Sequence, residues 1–125
     1  MDLYAEEILE HYKHPLNKGL IQNPDFSAKD SNPLCGDELE MSFSVKNSVI
    51  TDVKFSGQGC AISQAAASML TEFVKGKSVD EVRKMDKKKI FELLAVDLGP
   101  VRVKCALLSL KVLKKALYGI EDWPE

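Results

Sequence analysis

Apolar and polar residues alternate along two neighbouring segments in the first half of the chain, residues 39–46 and 49–55. An alternation with a period of two is typical of a strand that buries one of its faces. Asn47 and Ser48 separate the two segments and are suited to a tight turn. The segments therefore predict a β-hairpin, whose inward-facing positions are Leu39, Met41, Phe43, Val45, Val49, Thr51, Val53 and Phe55.

Elsewhere the apolar residues recur every three or four positions, which is the period of a helix that packs on one face. Asp2, Ser78 and Asp86 are suited to cap three of these helices, and the residues after Ser78 form a capping-box pattern. Glycine and proline residues supply the stop signals between them. The predicted helices cover residues 3–12, 61–76, 79–85, 87–95 and 101–118.

The order of these elements, a helix, a hairpin and then several helices, predicts the α+β fold class. We expect a small antiparallel sheet of two to three strands that packs against several helices. Residues 17–33 are rich in Asn, Asp, Ser, Gly and Pro, and they are predicted to form a loop. Because no second domain starts there, the sequence predicts a single domain over residues 1–125.

The composition is that of a folded globular protein, with 45% hydrophobic and 29% charged residues. A net charge of −2 provides no basic field, so nucleic-acid binding is not expected. No apolar run reaches membrane-spanning length, and residues 1–10 lack the apolar core of a secretion signal. The sequence therefore predicts a cytoplasmic protein without a membrane partner.

Three cysteines, Cys35, Cys60 and Cys105, cannot all pair with one another within one chain. Free cysteine is either a small buried residue of the core or a group that binds metal or acts as a nucleophile. A core cysteine is expected inside a periodic apolar run, whereas these three lie at the ends of predicted elements. Their placement favours a functional site over the core interpretation.

Each cysteine has a local setting that suits metal or sulfur chemistry. Cys35 and Asp37 flank Gly36, whose small size lets both side chains point to one spot. Cys60 precedes a helix, where free amide groups and the helix dipole stabilise a thiolate. Cys105 is predicted on the first turn of the last helix. Three thiolates and one carboxylate form a candidate labile site, and the close Cys or His pairs of conventional structural zinc sites are absent.

The motifs around the cysteines resemble those of the U-type iron–sulfur cluster scaffold family, which includes IscU, SufU and the N-terminal domain of NifU. They are Asn-Pro-Leu-Cys-Gly-Asp at 32–37, Gly-Gln-Gly-Cys-Ala-Ile-Ser at 57–63 and Arg-Val-Lys-Cys-Ala-Leu-Leu at 102–108. Residues 4–19 are also similar to the first helix and loop of these proteins. The motifs occur in the family's order, so the resemblance extends almost from end to end.

The resemblance implies that Cys35, Asp37, Cys60 and Cys105 converge around a [2Fe–2S] cluster or a Zn²⁺ ion. It implies a scaffold rather than an enzyme, which receives sulfur from a cysteine desulfurase and passes the cluster to apo iron–sulfur recipient proteins. Cys105 corresponds to the residue that accepts the persulfide sulfur. A monomer and a homodimer that bridges one cluster are both compatible with this reading.

Arg102 and Lys104 lie just before Cys105, and we expect their charges to favour an exposed, nucleophilic thiolate there. IscU proteins have histidine at the position of Lys104, whereas the Arg-x-Lys-Cys run is similar to SufU proteins. That similarity implies an alternative function, a zinc-dependent sulfurtransferase that accepts persulfide sulfur. The segment between Cys60 and Cys105 is short, however, as in IscU.

Residues 98–102 resemble the IscU segment that an Hsp70-type chaperone recognises. Gly99 occupies a position where the IscU segment has proline. The resemblance implies a chaperone of this type as a further partner.

Overall fold

The computed structural model describes residues 3–124, and the strands in this range form one antiparallel sheet in the order β1-β2-β3. Several helices pack against the sheet, which confirms the predicted α+β class. The elements in chain order are α1 (Leu3–Lys13), β1 (Phe26–Asn32), β2 (Asp37–Lys46), β3 (Val49–Gln58), α2 (Ala61–Val74), α3 (Val79–Arg83), α4 (Lys87–Leu94) and α5 (Pro100–Tyr118).

The predicted hairpin is confirmed by the pairing of β2 with β3, in which Phe43 lies opposite Val53. Asn47 and Ser48 form the turn, with φ of 52° and 63° respectively. Positive φ at both central residues is what a tight two-residue hairpin turn requires, because its twist then matches that of the strands. The turn fixes the pairing of the strand ends. The prediction that Thr51 faces inward is wrong, because a register shift between Ser44 and Val45 buries Ile50 in its place and leaves Thr51 exposed.

The prediction of a loop over residues 17–33 is wrong in its second half, where β1 forms. β1 is an edge strand that pairs with β2 from Phe26 opposite Phe43 to Asn32 opposite Asp37. Its inward-facing positions are Ala28, Asp30 and Asn32, so it lacks the apolar alternation by which a strand is recognised in sequence. The strand is held instead by its pairing and by polar contacts with α5.

β3 continues through Gly57 and ends at Gln58, beyond the strand predicted over residues 49–55. Gly57 pairs with Leu39, has φ of 142°, and approaches β2 so closely that a Cβ atom would lie 2.0 Å from the carbonyl oxygen of Glu38. Only glycine tolerates this conformation and this approach. The strand therefore extends to Gln58, close to the start of α2 at Ala61.

The hydrophobic core lies between one face of the sheet and the helices α2 and α5. α2 is buried along most of its length and contacts α1, α4 and α5. Its small residues allow these close approaches. The largest fully buried side chains are Phe43, Phe55, Leu39, Met41, Ile50, Leu70, Ile90, Leu94, Leu108, Leu110, Leu113 and Val53.

The predicted caps of the short helices are confirmed. Ser78 forms a capping box with Glu81, and the Asp86 side chain accepts a hydrogen bond from the N–H of Lys88. Pro100 opens α5, as is common in a first helical turn. Asp2, the predicted cap of α1, lies outside the described residues. Within residues 3–124, every helix is too short or too polar to cross a membrane.

A partly buried ion pair fastens β1 to α5. The ammonium group of Lys111 donates to the carboxylate of Asp30, and Lys115 lies 3.8 Å from the same carboxylate. Burial alone would raise the pKa of Asp30, but hydrogen bonds from Lys111 and from the N–H of Ser31, together with the lysine charges, lower it below its ordinary value. The pair sets the register of the edge strand against the helix.

We expect Asp30→Asn to lower the free energy of unfolding at pH 7 by about 1–3 kcal/mol, because Lys111 loses its counter-ion in a partly buried position. Since the folded pKa of Asp30 is lowered, its contribution is present above the unfolded pKa and is lost as the pH falls through the folded pKa. The difference between wild type and variant in denaturant unfolding should therefore shrink in acid. Glu92→Gln, which removes an exposed pair with Lys89, is the control and should change little. Equal stability of the wild type and Asp30→Asn at all pH values would contradict the anchoring role.

Candidate metal centre

Three metal-ligating side chains meet at the end of the sheet where β1 turns into β2. Cys35 lies in that turn, Asp37 begins β2, and Cys105 lies on α5. Their ligand atoms all lie within 4.8 Å of one another. The family resemblance implies that Cys35, Asp37, Cys60 and Cys105 converge, and the structure brings three of these four together, all except Cys60.

The sulfur of Cys105 lies in the interior of this cluster. It is 2.9 Å from the sulfur of Cys35, 3.8 Å from Nδ2 of Asn32 and 3.7 Å from the carbonyl oxygen of Val101. Cys35 is half-buried, and both cysteines are free. Two thiols in contact and one adjacent carboxylate are a donor set that suits a thiophilic metal.

Asp37 is fully buried, and its two carboxylate oxygens have different environments. Oδ1 accepts hydrogen bonds from the N–H of Cys60 at 3.0 Å and from the hydroxyl of Ser63 at 3.2 Å. Oδ2 is buried without a hydrogen-bond partner among the described residues. An unpaired buried carboxylate oxygen is costly, so a cation at this point would satisfy it. The residues present therefore fit a bound metal.

Gly59 is required by the packing of this carboxylate. A Cβ atom at Gly59 would lie 2.4 Å from Oδ1 of Asp37 and 2.5 Å from the hydroxyl of Ser63. Both distances are far below van der Waals contact, so a larger residue would displace the carboxylate or the start of α2. The Gly-x-Gly sequence before Cys60 thus serves the strand at Gly57 and the site at Gly59.

Cys60 occupies the N-cap position of α2, as the sequence predicts, and is half-buried. Its sulfur is outside the three-ligand cluster, and its contact with the site is the backbone N–H that binds Asp37. The Cys60 side chain makes no capping hydrogen bond. Its sulfur is therefore not fixed by a cap, and its role as a fourth ligand stays a prediction.

The setting predicted for Cys105 is wrong in two respects. The residue lies on the second turn of α5, not the first, and it is fully buried rather than exposed. Burial raises the pKa of the Cys105 thiol above its ordinary value, and its contact with the Cys35 sulfur and the charges of Cys60 and Asp37 act in the same direction. Burial at this position thus favours the protonated thiol.

Arg102 and Lys104, which were predicted to activate Cys105, are exposed and make no hydrogen bond to its sulfur within the described residues. The ammonium group of Lys104 lies 5.5 Å from the centre of the Trp123 ring, on which Lys111 also lies at 5.0 Å. Arg102 lines a groove between α1 and the loop before α5. Lys104 is the helix neighbour of Cys105, and neighbours in a helix point about 100° apart, so its adjacency in sequence does not place its charge on the sulfur.

Asn32, Gly59 and Ser63 belong to the site but were not singled out as site residues from the sequence. Asn32 and Ser63 are buried polar residues with hydrogen bonds to Cys105 and Asp37 respectively. All three lie within three residues of a predicted ligand along the chain. That proximity was the available signal, but sequence alone does not distinguish such residues from ordinary turn and cap residues.

Comparison with known proteins identifies the family. The model of the NifU-like N terminal domain matches residues 3–123. The chain is 37% identical to the zinc-dependent sulfurtransferase SufU of Bacillus subtilis, over 92% of this chain and 89% of that protein. It is 35% identical to the iron-sulfur cluster assembly scaffold protein IscU of Escherichia coli K12, over 91% of each chain.

Solved structures agree with this assignment. The crystal structure of FiSufU from Fervidobacterium islandicum AW-1 superposes with a TM-score of 0.80 at 33% identity, covering 90% of this chain and 94% of that chain. The N-terminal part of a NifU-like protein from Brucella abortus has the same fold, with a TM-score of 0.77 at 23% identity and coverage of 95% and 94%. The chain belongs to the NifU-like N-terminal domain family, the U-type scaffold family of IscU and SufU.

Proposed function

We propose that this protein is a scaffold on which a [2Fe–2S] cluster is assembled and from which it is passed to apo iron–sulfur proteins. The observation that carries the proposal is the convergence of Cys35, Asp37 and Cys105, with one buried carboxylate oxygen of Asp37 unpaired. Cys60 completes the ligand set once its side chain turns toward the cluster. The naming of the E. coli relative as a cluster assembly scaffold supports the same function.

Sulfur arrives in this proposal as a persulfide on a cysteine desulfurase. Once the site opens, the Cys105 thiol gives its proton to water, and the resulting thiolate attacks the outer sulfur of the persulfide. A sulfur–sulfur bond forms on Cys105 as the desulfurase sulfur–sulfur bond breaks, and the desulfurase leaves as a thiolate. Because Cys105 is buried, the turn that carries Cys35 or the first turn of α5 must open for this transfer.

Assembly also requires electrons. Reduction of two persulfide sulfurs to sulfide takes four electrons, of which two come from iron(II) as it becomes iron(III). The other two come from a partner electron donor of the ferredoxin or dithiol class. The chain's own contribution is to hold sulfur on Cys105 next to Cys35 and Asp37, so that iron and sulfide meet on preplaced ligands.

The oxygen ligand explains why the product can leave. Three thiolates bind a thiophilic metal firmly, whereas a carboxylate oxygen exchanges more readily. Asp37 is therefore proposed as the ligand that is displaced first when a recipient protein offers a cysteine. We place this chemistry in the cytoplasm, where glutathione and thioredoxin keep the three thiols reduced.

A second candidate function is a zinc-dependent sulfurtransferase. It is favoured by the sequence Arg102-x-Lys104-Cys105 and by the name of the B. subtilis relative. A zinc ion on the same residues would stabilise the thiolates that burial disfavours in the metal-free protein. In this alternative the chain accepts sulfur and passes it on without building a cluster.

The test is anaerobic reconstitution of the folded protein with iron(II), cysteine, a cysteine desulfurase and a reductant. The scaffold predicts iron and acid-labile sulfide in equal amounts, visible charge-transfer absorption and transfer of the cluster to an apo-ferredoxin. Sulfur on Cys105 without cluster absorbance, in a protein that binds zinc stoichiometrically, would replace the scaffold by the sulfurtransferase. The absence of both would contradict both functions.

A further inference from the structure

Asn32 is a buried polar residue beside the candidate metal centre. It ends β1, is 1% exposed, and its side-chain Nδ2 donates to the sulfur of Cys105 at 3.8 Å. Within residues 3–124, this is the hydrogen bond that the Asn32 side chain makes. A buried amide needs a partner, and here its partner is a sulfur atom.

The backbone of Asn32 holds the other two ligands of the cluster. Its carbonyl oxygen accepts a hydrogen bond from the N–H of Cys35 at 3.2 Å, and its position in β1 is directly opposite Asp37 in β2. Asn32 thus joins the turn that carries Cys35, the strand that carries Asp37 and the helix that carries Cys105.

Two further contacts fix where Asn32 lies. Asp30, on the same face of β1, is paired with Lys111, and Lys115 donates to the carbonyl oxygen of Lys29 at 3.1 Å. The strand is therefore anchored to α5 next to the Asn32 side chain. This anchoring holds the amide at the sulfur without any help from a bound metal.

We propose that Asn32 is a positioning residue, whose side-chain amide holds the sulfur of Cys105 through an N–H···S hydrogen bond and donates to that sulfur when it binds metal or carries a persulfide. The inference rests on the proposed function, because it concerns the same sulfur. A hydrogen bond to a metal-bound sulfur withdraws electron density from it, and outer contacts of this kind orient a ligand and tune the metal.

The contact can be tested in the metal-free protein by ¹⁵N nuclear magnetic resonance of the Asn32 side-chain amide, assigned by its loss in Asn32→Leu. Cys105→Ala should move this resonance, because it removes the acceptor sulfur. Cys60→Ala is the matched control and should leave it in place, because the Cys60 sulfur lies outside the cluster. A resonance that Cys105→Ala leaves unchanged would overturn the inference, whatever the protein does with metal.

The effect on the site can be read with cobalt(II) alone as the probe. In Asn32→Leu, the thiolate-to-cobalt charge-transfer band should shift to lower energy, and sulfur acceptance should slow by about tenfold, the scale expected for a lost hydrogen bond to a charged group. Ser31→Ala, which changes an exposed neighbour on the other face of β1, should match the wild type in both.

A failure of the proposed metal site and a failure of the positioning role of Asn32 give different results. A wild-type protein without any thiolate-to-cobalt band would contradict the proposed metal site, and with it the role of Asn32 toward bound metal. A normal wild-type band that is unchanged in folded Asn32→Leu would contradict the positioning role alone. Ser78→Ala separates these from a purely structural effect: it removes the capping box of α3, beside the start of β3 and away from the site, so it should lower stability and leave the band in place.

Discussion

Replacing Cys105 with alanine should reduce sulfur acceptance from a desulfurase persulfide to background. The Cys105 sulfur contacts both the sulfur of Cys35 and the side-chain amide of Asn32, so both contacts depend on it. Without it, the three-ligand group is reduced to one thiol and one carboxylate. Intact-protein mass spectrometry after incubation with desulfurase and cysteine should show the added sulfur mass in wild type and not in Cys105→Ala.

Cys60→Ala is the matched control for this result. Its sulfur lies outside the cluster of the metal-free protein, so sulfur acceptance should persist while a stable cluster is lost. If sulfur acceptance survived in Cys105→Ala and disappeared in Cys60→Ala, the acceptor would be Cys60 and not Cys105. It would also move the entry point for sulfur from α5 to the start of α2.

Gly59→Ala should lower the affinity for zinc or cobalt(II) by at least about tenfold and destabilise the protein by about 1–3 kcal/mol. The added Cβ would fall 2.4 Å from Oδ1 of Asp37 and 2.5 Å from the Ser63 hydroxyl. Relief of these contacts has to move the carboxylate or the N-terminus of α2, and both belong to the site. Competition with a chromophoric chelator measures the affinity, and denaturant unfolding measures the stability.

Gly99→Ala provides a control at a second glycine next to a helix start. Gly99 is the N-cap of α5 with φ of −70°, and a Cβ there would have nothing within 4 Å among the described residues. We therefore expect near wild-type metal affinity for Gly99→Ala. If Gly59→Ala also bound metal like the wild type, the Asp37 carboxylate would not be a ligand held in place by this packing.

The sequence predicts those parts of the fold that depend on local chemistry. The hairpin follows from a two-residue period and a turn that tolerates positive φ, and the caps at Ser78 and Asp86 follow from side chains that bond to the next amides. β1 was missed because its inward-facing residues, Ala28, Asp30 and Asn32, do not form an apolar pattern. Their partners lie on α5, far away in sequence.

The site was predicted less evenly than the fold. The cysteines and Asp37 are recognisable because they lie at the ends of predicted elements and outside the periodic apolar runs. The order of the three motifs around them adds the resemblance to the family. The burial of Cys105 depends on Asn32, Cys35 and Asp37, which come from other segments. The sequence around Cys105 therefore does not predict it. Lys104 shows the same limit, because its contact with Trp123 depends on the path of the chain after α5.

X-ray absorption spectroscopy at the zinc edge of the stoichiometrically zinc-loaded protein tests the proposed donor set most directly. Zinc has no redox chemistry. Its absorption spectrum distinguishes sulfur neighbours at about 2.3 Å from oxygen neighbours at about 2.0 Å. We expect three sulfur neighbours and one oxygen neighbour, supplied by Cys35, Cys60, Cys105 and Asp37, and four sulfur neighbours in Asp37→Cys. A first shell of oxygen and nitrogen atoms alone, or a spectrum that does not change in Asp37→Cys, would contradict this donor set.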